Sequence, residues 1–231
     1  MIIKRIELKS PWANKTPAIV LGVYFLVILP YSQIFFRTHP WLYKNADVMI
    51  FAVVVATLLT LYRNNLSALG FSTGHLKQHL VLGAFAGGTI ILCLPLLDVG
   101  LSVTGMAEHE LFTGRLDDQS LFHTASLPEK SVKVILIPLI EQIFFTGFIL
   151  QTLLKKHNPI LTIYVGGLIY TLAGFKLSLG SFGLGICASL LFKITGTLYA
   201  SILFHMSCAL GGVLLETIYP RLITVLGFLW Q

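Results

Sequence analysis

The sequence predicts an all-α membrane protein, a polytopic transmembrane bundle of about seven membrane-embedded helices in one domain over residues 1–231. Three observations predict it. Of the 231 residues, 55% are hydrophobic and 11% charged, where a soluble domain carries about a quarter charged residues. The mean hydropathy is +0.83, too apolar to build a surface for water. The apolar residues also come in runs of about 20, the length a helix needs to cross a bilayer.

Each element follows from its run. The first span is 17–36, with a kink expected at Pro30, because proline removes a backbone donor and clashes with the preceding turn. The second, 46–62, is closed by Arg63-Asn64-Asn65. Residues 66–79 (Leu-Ser-Ala-Leu-Gly-Phe-Ser-Thr-Gly-His75-Leu-Lys-Gln-His79) are polar enough to form a short interfacial element. The third span, 80–101, carries Gly83, Gly87 and Gly88, small residues that let helices approach closely. Residues 104–133 form the long polar segment, with Glu108, Glu110, Asp117, Asp118 and Glu129. The fourth span, 134–154, ends at Lys155-Lys156-His157-Asn158-Pro159, and the fifth runs from 160 to 175. A run over 182–192 is too short to span untilted. It leads through Thr195-Gly196-Thr197 to the last long helix, 198–219, which Pro220-Arg221 closes. The apolar tail 222–230 is expected to lie at the membrane interface.

The net charge is +6 and the sequence pI ≈ 9.3. In a soluble chain that basicity would raise the question of nucleic acid. Here the basic residues flank apolar runs, so they are read as setting orientation and touching membrane lipid, with no nucleic-acid partner expected. With the N-terminus inside, the inner side holds Lys4, Arg5, Lys9, Lys15, Arg63, Lys77, Lys155 and Lys156. The outer side holds Arg37, Lys44, Arg115, Lys130 and Lys133. A cytoplasmic N-terminus is therefore expected. The first nine residues lack an h-region and a small-residue cleavage site, so no cleavable signal peptide is expected. Cys93, Cys187 and Cys208 sit in apolar runs without metal-ligand spacing and are expected to pack as small apolar groups.

Two residues interrupt this apolar pattern with chemistry. Glu141 lies in Ile-Pro-Leu-Ile-Glu-Gln142-Ile-Phe-Phe-Thr146-Gly147, and His205 in Leu-Tyr-Ala-Ser-Ile-Leu-Phe-His-Met-Ser-Cys-Ala209. An ionisable group at bilayer depth is costly and marks a candidate functional site. The bland alternatives are a protonated carboxyl bonded to a neighbouring helix and a packing histidine with satisfied ring nitrogens. A bond between Glu141 and His205 would serve either reading. Lys176 and Lys193 are expected to snorkel to a membrane face. Glu216, eleven residues after His205, falls near the same helical face, with pairing to Arg221 or solvent as its alternative. A zinc enzyme needs about three protein ligands. The buried set supplies one histidine and one or two glutamates, while His75, His79, His109, His123 and His157 fall in loops or interfaces, so no metal and no cofactor is expected.

From Leu66 to Ala209 the chain resembles the CPBP family, which includes the type II CAAX prenyl endopeptidases. The resemblance is carried by Ala68-Leu-Gly-Phe71 and the glycine-rich helix after it. It continues through Pro138-Leu-Ile-Glu-Gln-Ile-Phe-Phe-Thr-Gly147, where the family reads Glu-Glu-x-x-x-Arg followed by Gly. Tyr170-Thr-Leu-Ala-Gly174 follows, where the family reads Phe-x-x-x-His. His205-Met-Ser-Cys-Ala209 comes last, where the family reads His-x-x-x-Asn. The resemblance implies a water-activating role for Glu141 and an oxyanion-donor role for His205. It also implies that the second glutamate falls on Gln142, the arginine on Thr146, the water-activating histidine on Gly174 and the asparagine on Ala209. Tyr170, Lys176 and Glu216 are candidate cavity-lining groups.

The replacements differ in kind. Residues four apart on a helix face each other, so Gln142 and Thr146 can bond each other where a charged pair is expected, and no buried charge is stranded. Gly174 and Ala209 offer no donor at all. A lost oxyanion donor costs about 10²–10³ in rate and a lost general base about 10²–10⁴. The leading expectation is a catalytically impaired homologue that binds a membrane protein or a lipidated or apolar peptide. An active glutamic-type endopeptidase using Glu141 and His205, with Lys176 or Glu216 as helper, remains open. So does a small transporter or lipid-handling protein.

Overall fold

The computed structural model describes residue 13, residues 15–61, 66–72, 74–105, 127–173 and 178–219, and residue 222. The N-terminal basic segment, most of the long polar segment, the tail after residue 222, and both Gly174 and Lys176 lie outside the described residues. Within the described residues the chain is all-helical. Seven helices follow in order: α1 (Thr16–Phe35), α2 (Pro40–Leu61), α3 (Leu76–Val103), α4 (Leu127–Leu154), α5 (Pro159–Ala173), α6 (Leu179–Thr195) and α7 (Leu198–Thr217). Four of them, α1, α3, α4 and α7, are long and apolar enough to cross a membrane.

Several boundaries differ from the sequence expectation, among them the starts of α2 at Pro40 and of α3 at Leu76, and two have a clear local reason. Helix α4 starts at Leu127, inside the stretch expected to be polar and irregular. Its first turn holds Pro128, tolerated where a backbone donor would go unused, and Glu129, which suits the positive end of the helix dipole. Helix α6 starts at Leu179 because Ser178 is a true N-cap: its Oγ accepts from the Ser181 backbone N–H at 3.0 Å. That cap lengthens the short run to 17 residues.

Two prolines inside the long helices, Pro30 and Pro138, are accommodated by local widening, whereas Pro95 sits in α3 without it. Pro30 follows a π-helical stretch, Tyr24–Ile28, and Pro138 follows another, Val132–Leu136. In each case the carbonyl four residues before the proline, the one its ring would strike, lies inside the widened stretch. A third π-helical stretch, Ile143–Leu150, holds no proline and lies just past Glu141.

The bundle has inner and outer helices. Half of the most apolar stretch of α7 and 44% of that of α4 is buried, against 17% for α1 and for α3. The outer pair shows its apolar face outward, at Leu26, Val81, Phe85 and Val103 among others, as helices bathed in lipid do. Helix α3 lies along α7. A Cβ on Gly83 would sit 2.6 Å from the Ala200 carbonyl oxygen, and one on Gly87 would strike Ser207. These two glycines therefore set the close approach expected of them, whereas Gly88 faces open space. Cys208 is buried as expected, but Cys93 and Cys187 are exposed.

The turn before α3 fastens the inner helices. Residues Leu66–Leu69 form a 3-10 turn ending at Gly70, whose φ of +95° suits glycine. The Gly70 carbonyl accepts from the Leu198 N–H at 3.0 Å, satisfying an orphan donor at the start of α7. Gly147 leaves room for the Leu69 carbonyl, which a Cβ there would meet at 2.8 Å. With its amide turned to donate, buried Gln151 reaches the carbonyls of Gly147 at 2.8 Å and Ala68 at 2.9 Å.

Candidate functional site

Helices α4, α5 and α7 bring five polar side chains together in an apolar surround. Glu141 and Gln142 lie on the last α-helical turn of α4 before its widened stretch, and Thr146 follows one turn later. Tyr170 comes from α5 and His205 from the middle of α7. Gln142, Thr146 and His205 are buried, and Glu141 and Tyr170 partly so. The surrounding wall is aromatic. Phe145 meets the Tyr170 ring edge-on at 5.0 Å, Phe51 from α2 stacks on Phe144 at 4.4 Å, and Tyr170 meets the His205 ring edge-on at 5.8 Å.

Within that wall the polar groups form a continuous chain of hydrogen bonds. The Thr146 hydroxyl donates to Gln142 Oε1 at 2.7 Å. That leaves Gln142 Nε2 facing His205 Nδ1 at 3.2 Å, so the amide donates and Nδ1 accepts. The proton of the neutral imidazole then lies on Nε2, which faces the Tyr170 oxygen at 3.2 Å and Glu141 Oε2 at 3.7 Å. The Tyr170 hydroxyl donates to Glu141 Oε2 at 2.6 Å. Every step from Thr146 to Glu141 runs in one direction. The chain satisfies groups that would each be costly to leave unpaired in an apolar interior.

Glu141 and His205 thus face each other inside the bundle, with Tyr170 between them. Gln142 and Thr146 share a helix face and bond each other, and their neutral neighbour is His205. Ala209, one turn after His205, presents only a methyl group and is partly exposed. Glu216 is exposed in the last turn of α7 and is not a partner of the chain. Gly174 and Lys176, outside the described residues, follow directly on the end of α5. There the Tyr24 hydroxyl of α1 donates to the Ala173 carbonyl at 2.9 Å. Among the described residues no three His, Cys, Asp or Glu side chains converge as a metal site would need.

Sequence reasoning missed one further acidic group. Asp47 on α2 lies within electrostatic reach of Glu141, Tyr170 and Tyr24. The rule that singled out Glu141 applies to it equally, because Asp47 falls inside the second apolar run. It lies at the start of that run, where flanking polar residues are ordinarily found.

Residues 126–211 match the family described as Type II CAAX prenyl endopeptidase Rce1-like. That segment takes in Glu141, Gln142, Thr146, Tyr170, His205 and Ala209, and begins well after Ala68-Leu-Gly-Phe71. Comparisons with curated proteins and with solved structures give no match. Through the segment that builds this site the chain is similar to the type II CAAX prenyl endopeptidase family, and its long apolar helices mark it as an integral membrane protein.

Proposed function

We propose that the protein is a catalytically impaired member of this family that binds a membrane partner, either an apolar segment or a lipidated peptide, beside Glu141. The observation that carries this reading is the position of the Tyr170 hydroxyl. Hydrolysis of the kind implied by the resemblance needs Glu141 free to activate a water and His205 free to donate to the oxyanion. The Tyr170 oxygen lies 2.6 Å from Glu141 Oε2 and 3.2 Å from His205 Nε2, hydrogen-bonding distances at which one hydroxyl engages both groups. A phenol there engages the only two motif groups that the resemblance leaves with chemistry, and it offers no base in place of the histidine expected at Gly174. The methyl of Ala209 adds a second deficit, since one absent oxyanion donor costs about 10²–10³ in rate. Such a site still offers a partner what the bundle provides around it: an aromatic wall, exposed apolar helix faces and a polar point at partly exposed Glu141.

The test is binding without cleavage. With full-length protein in lipid nanodiscs, a photoreactive farnesylated peptide should crosslink saturably and be recovered intact. A crosslink that never saturates would overturn the binding half of this reading. Cleavage by the unmodified protein that stops in Glu141→Ala would overturn the other half. The charge bias of the loops supports a cytoplasmic N-terminus. Labelling of a cysteine introduced near residue 9 from the inner side only is the expected result.

A further inference from the structure

The chain from Thr146 to Glu141 has a property that its separate bonds do not. Each interior member, Gln142, His205 and Tyr170, can both donate and accept. With Glu141 ionised, all donors point toward the carboxylate, because it can only accept. The same five side chains also satisfy one another with every donor reversed, provided that Glu141 carries a proton.

We propose that the cluster is a proton-binding site with two hydrogen-bond polarities, and that taking up one proton reverses the chain from Glu141 to Thr146. The proton count closes. In the reversed state Glu141 Oε2–H donates to the Tyr170 oxygen, and Tyr170 O–H donates to His205 Nε2. His205 Nδ1–H donates to Gln142 Oε1, and Gln142 Nε2–H donates to Thr146 Oγ1. The two shared protons each move one place, from His205 to Tyr170 and from Tyr170 to Glu141, while the added proton resides on Nδ1. The imidazole stays neutral and changes tautomer. The Gln142 amide turns over, and the freed Thr146 proton turns to a backbone carbonyl of its own helix, as helical threonines do. Net charge at the site rises by one, from the carboxylate to a neutral chain.

Gln142 is what makes the reversal possible. An ionised glutamate at this position could only accept, which would hold His205 in the Nδ1–H form whatever the state of Glu141. A leucine would strand Nδ1. The amide alone presents an acceptor on one face and a donor on the other with nearly the same shape, so a half-turn exchanges them. The other titratable groups bearing on the site come from three helices. Asp47 on α2 acts on Glu141 and Tyr170, Tyr24 on α1 lies within reach of Asp47 and Glu141, and Cys208 on α7 acts on Tyr170. The hydrogen bonds from Thr146 to Glu141 run between the five side chains themselves. Groups that dehydrate a carboxylate favour its neutral form, so an apolar partner seated beside Glu141 would load the proton and reverse the chain. The proposal stands apart from the question of residual cleavage, because it concerns proton positions in the resting protein.

The test uses full-length protein in lipid nanodiscs with ¹⁵N-labelled histidine. Magnetic resonance separates protonated from bare ring nitrogens, and the infrared carboxylic-acid band, assigned by its loss in Glu141→Gln, follows Glu141. His205 is identified by loss of its signals in His205→Asn, or by proximity to labelled Tyr170 if that variant does not fold. As pH falls through the Glu141 transition, His205 should pass from Nε2–H to Nδ1–H with the same midpoint. In Gln142→Glu the tautomer change should be lost while the Glu141 band persists. A His205 that keeps one tautomer throughout, or becomes doubly protonated together with Glu141, would overturn the proposal. So would a tautomer change that survives unchanged in Gln142→Glu.

Discussion

Helices α4 and α7 are joined at two polar places, and the two are built differently. At the clamp, Gly147, Gln151, Leu198 and the Ala68–Gly70 turn meet through backbone carbonyls, and none of the groups titrates. One turn or so earlier on α4, Glu141, Gln142, Thr146, Tyr170 and His205 meet through side chains alone, and three of the five titrate. The clamp has one solution, because carbonyls only accept. The side-chain cluster has two, because its middle members do both. The first arrangement fixes where the helices lie, and the second can change state while they stay in place. Motif positions with an architectural task are filled by residues that perform it. Motif positions expected to do chemistry are filled by groups that satisfy one another.

Substitutions can break this comparison. The largest effect is expected from Thr146→Arg. It puts a cation where Gln142 offers no countercharge, and an uncompensated buried charge costs about 3–5 kcal/mol. Thermal unfolding in detergent should show a large loss, and a variant as stable as the wild type would remove the view that this pair must be replaced as a unit. Next is Gly147→Ala at the clamp. Its Cβ would meet the Leu69 carbonyl oxygen at 2.8 Å and Leu198 Cδ1 at 2.9 Å. Of these only the side chain yields readily, so overpacking of about 1–3 kcal/mol is expected. Gly88→Ala, facing open space, is the control and should unfold like the wild type. Comparable in size is Tyr170→Phe, which keeps the ring but removes both the bond to Glu141 and the acceptor for His205 Nε2–H; the bond to Glu141 is worth about 1.5–3 kcal/mol if the carboxylate is charged and less if it is neutral. Measured on both sides of the Glu141 transition, that difference sharpens the comparison: the clamp variant should show none of it.

Much of this architecture is legible in the sequence because the bilayer makes it so. Apolar runs near the spanning length mark the long helices, and the cost of an ionisable group in lipid turns Glu141 and His205 inward toward partners. The four-residue spacing of Gln142 and Thr146 likewise gives their mutual bond. Other features are not legible, for definite reasons. The start of α4 at Leu127 is hidden because Pro128 and Glu129 look like loop composition although both suit a first turn. The π-helical stretch after Glu141 answers to no residue pattern. Tyr170 stands at a position where the resemblance expects an apolar ring, so its place in the motif says nothing of a hydroxyl reaching between carboxylate and imidazole. Asp47 is readable by the same rule as Glu141, although it lies near the edge of its run.

The central claim is that the Tyr170 hydroxyl engages Glu141 and His205, the two groups that hydrolysis would need free. The measurement that bears on it most directly is turnover of a prenylated or transmembrane peptide by purified full-length protein in proteoliposomes. The expected result is product at the level of empty vesicles, with wild type and Glu141→Ala indistinguishable. If Gly174→His with Ala209→Asn recovers any cleavage, Glu141→Ala should abolish it. Robust turnover by the unmodified protein that disappears in Glu141→Ala would contradict the account. It would mean that Tyr170 moves aside and that the site performs hydrolysis with other groups.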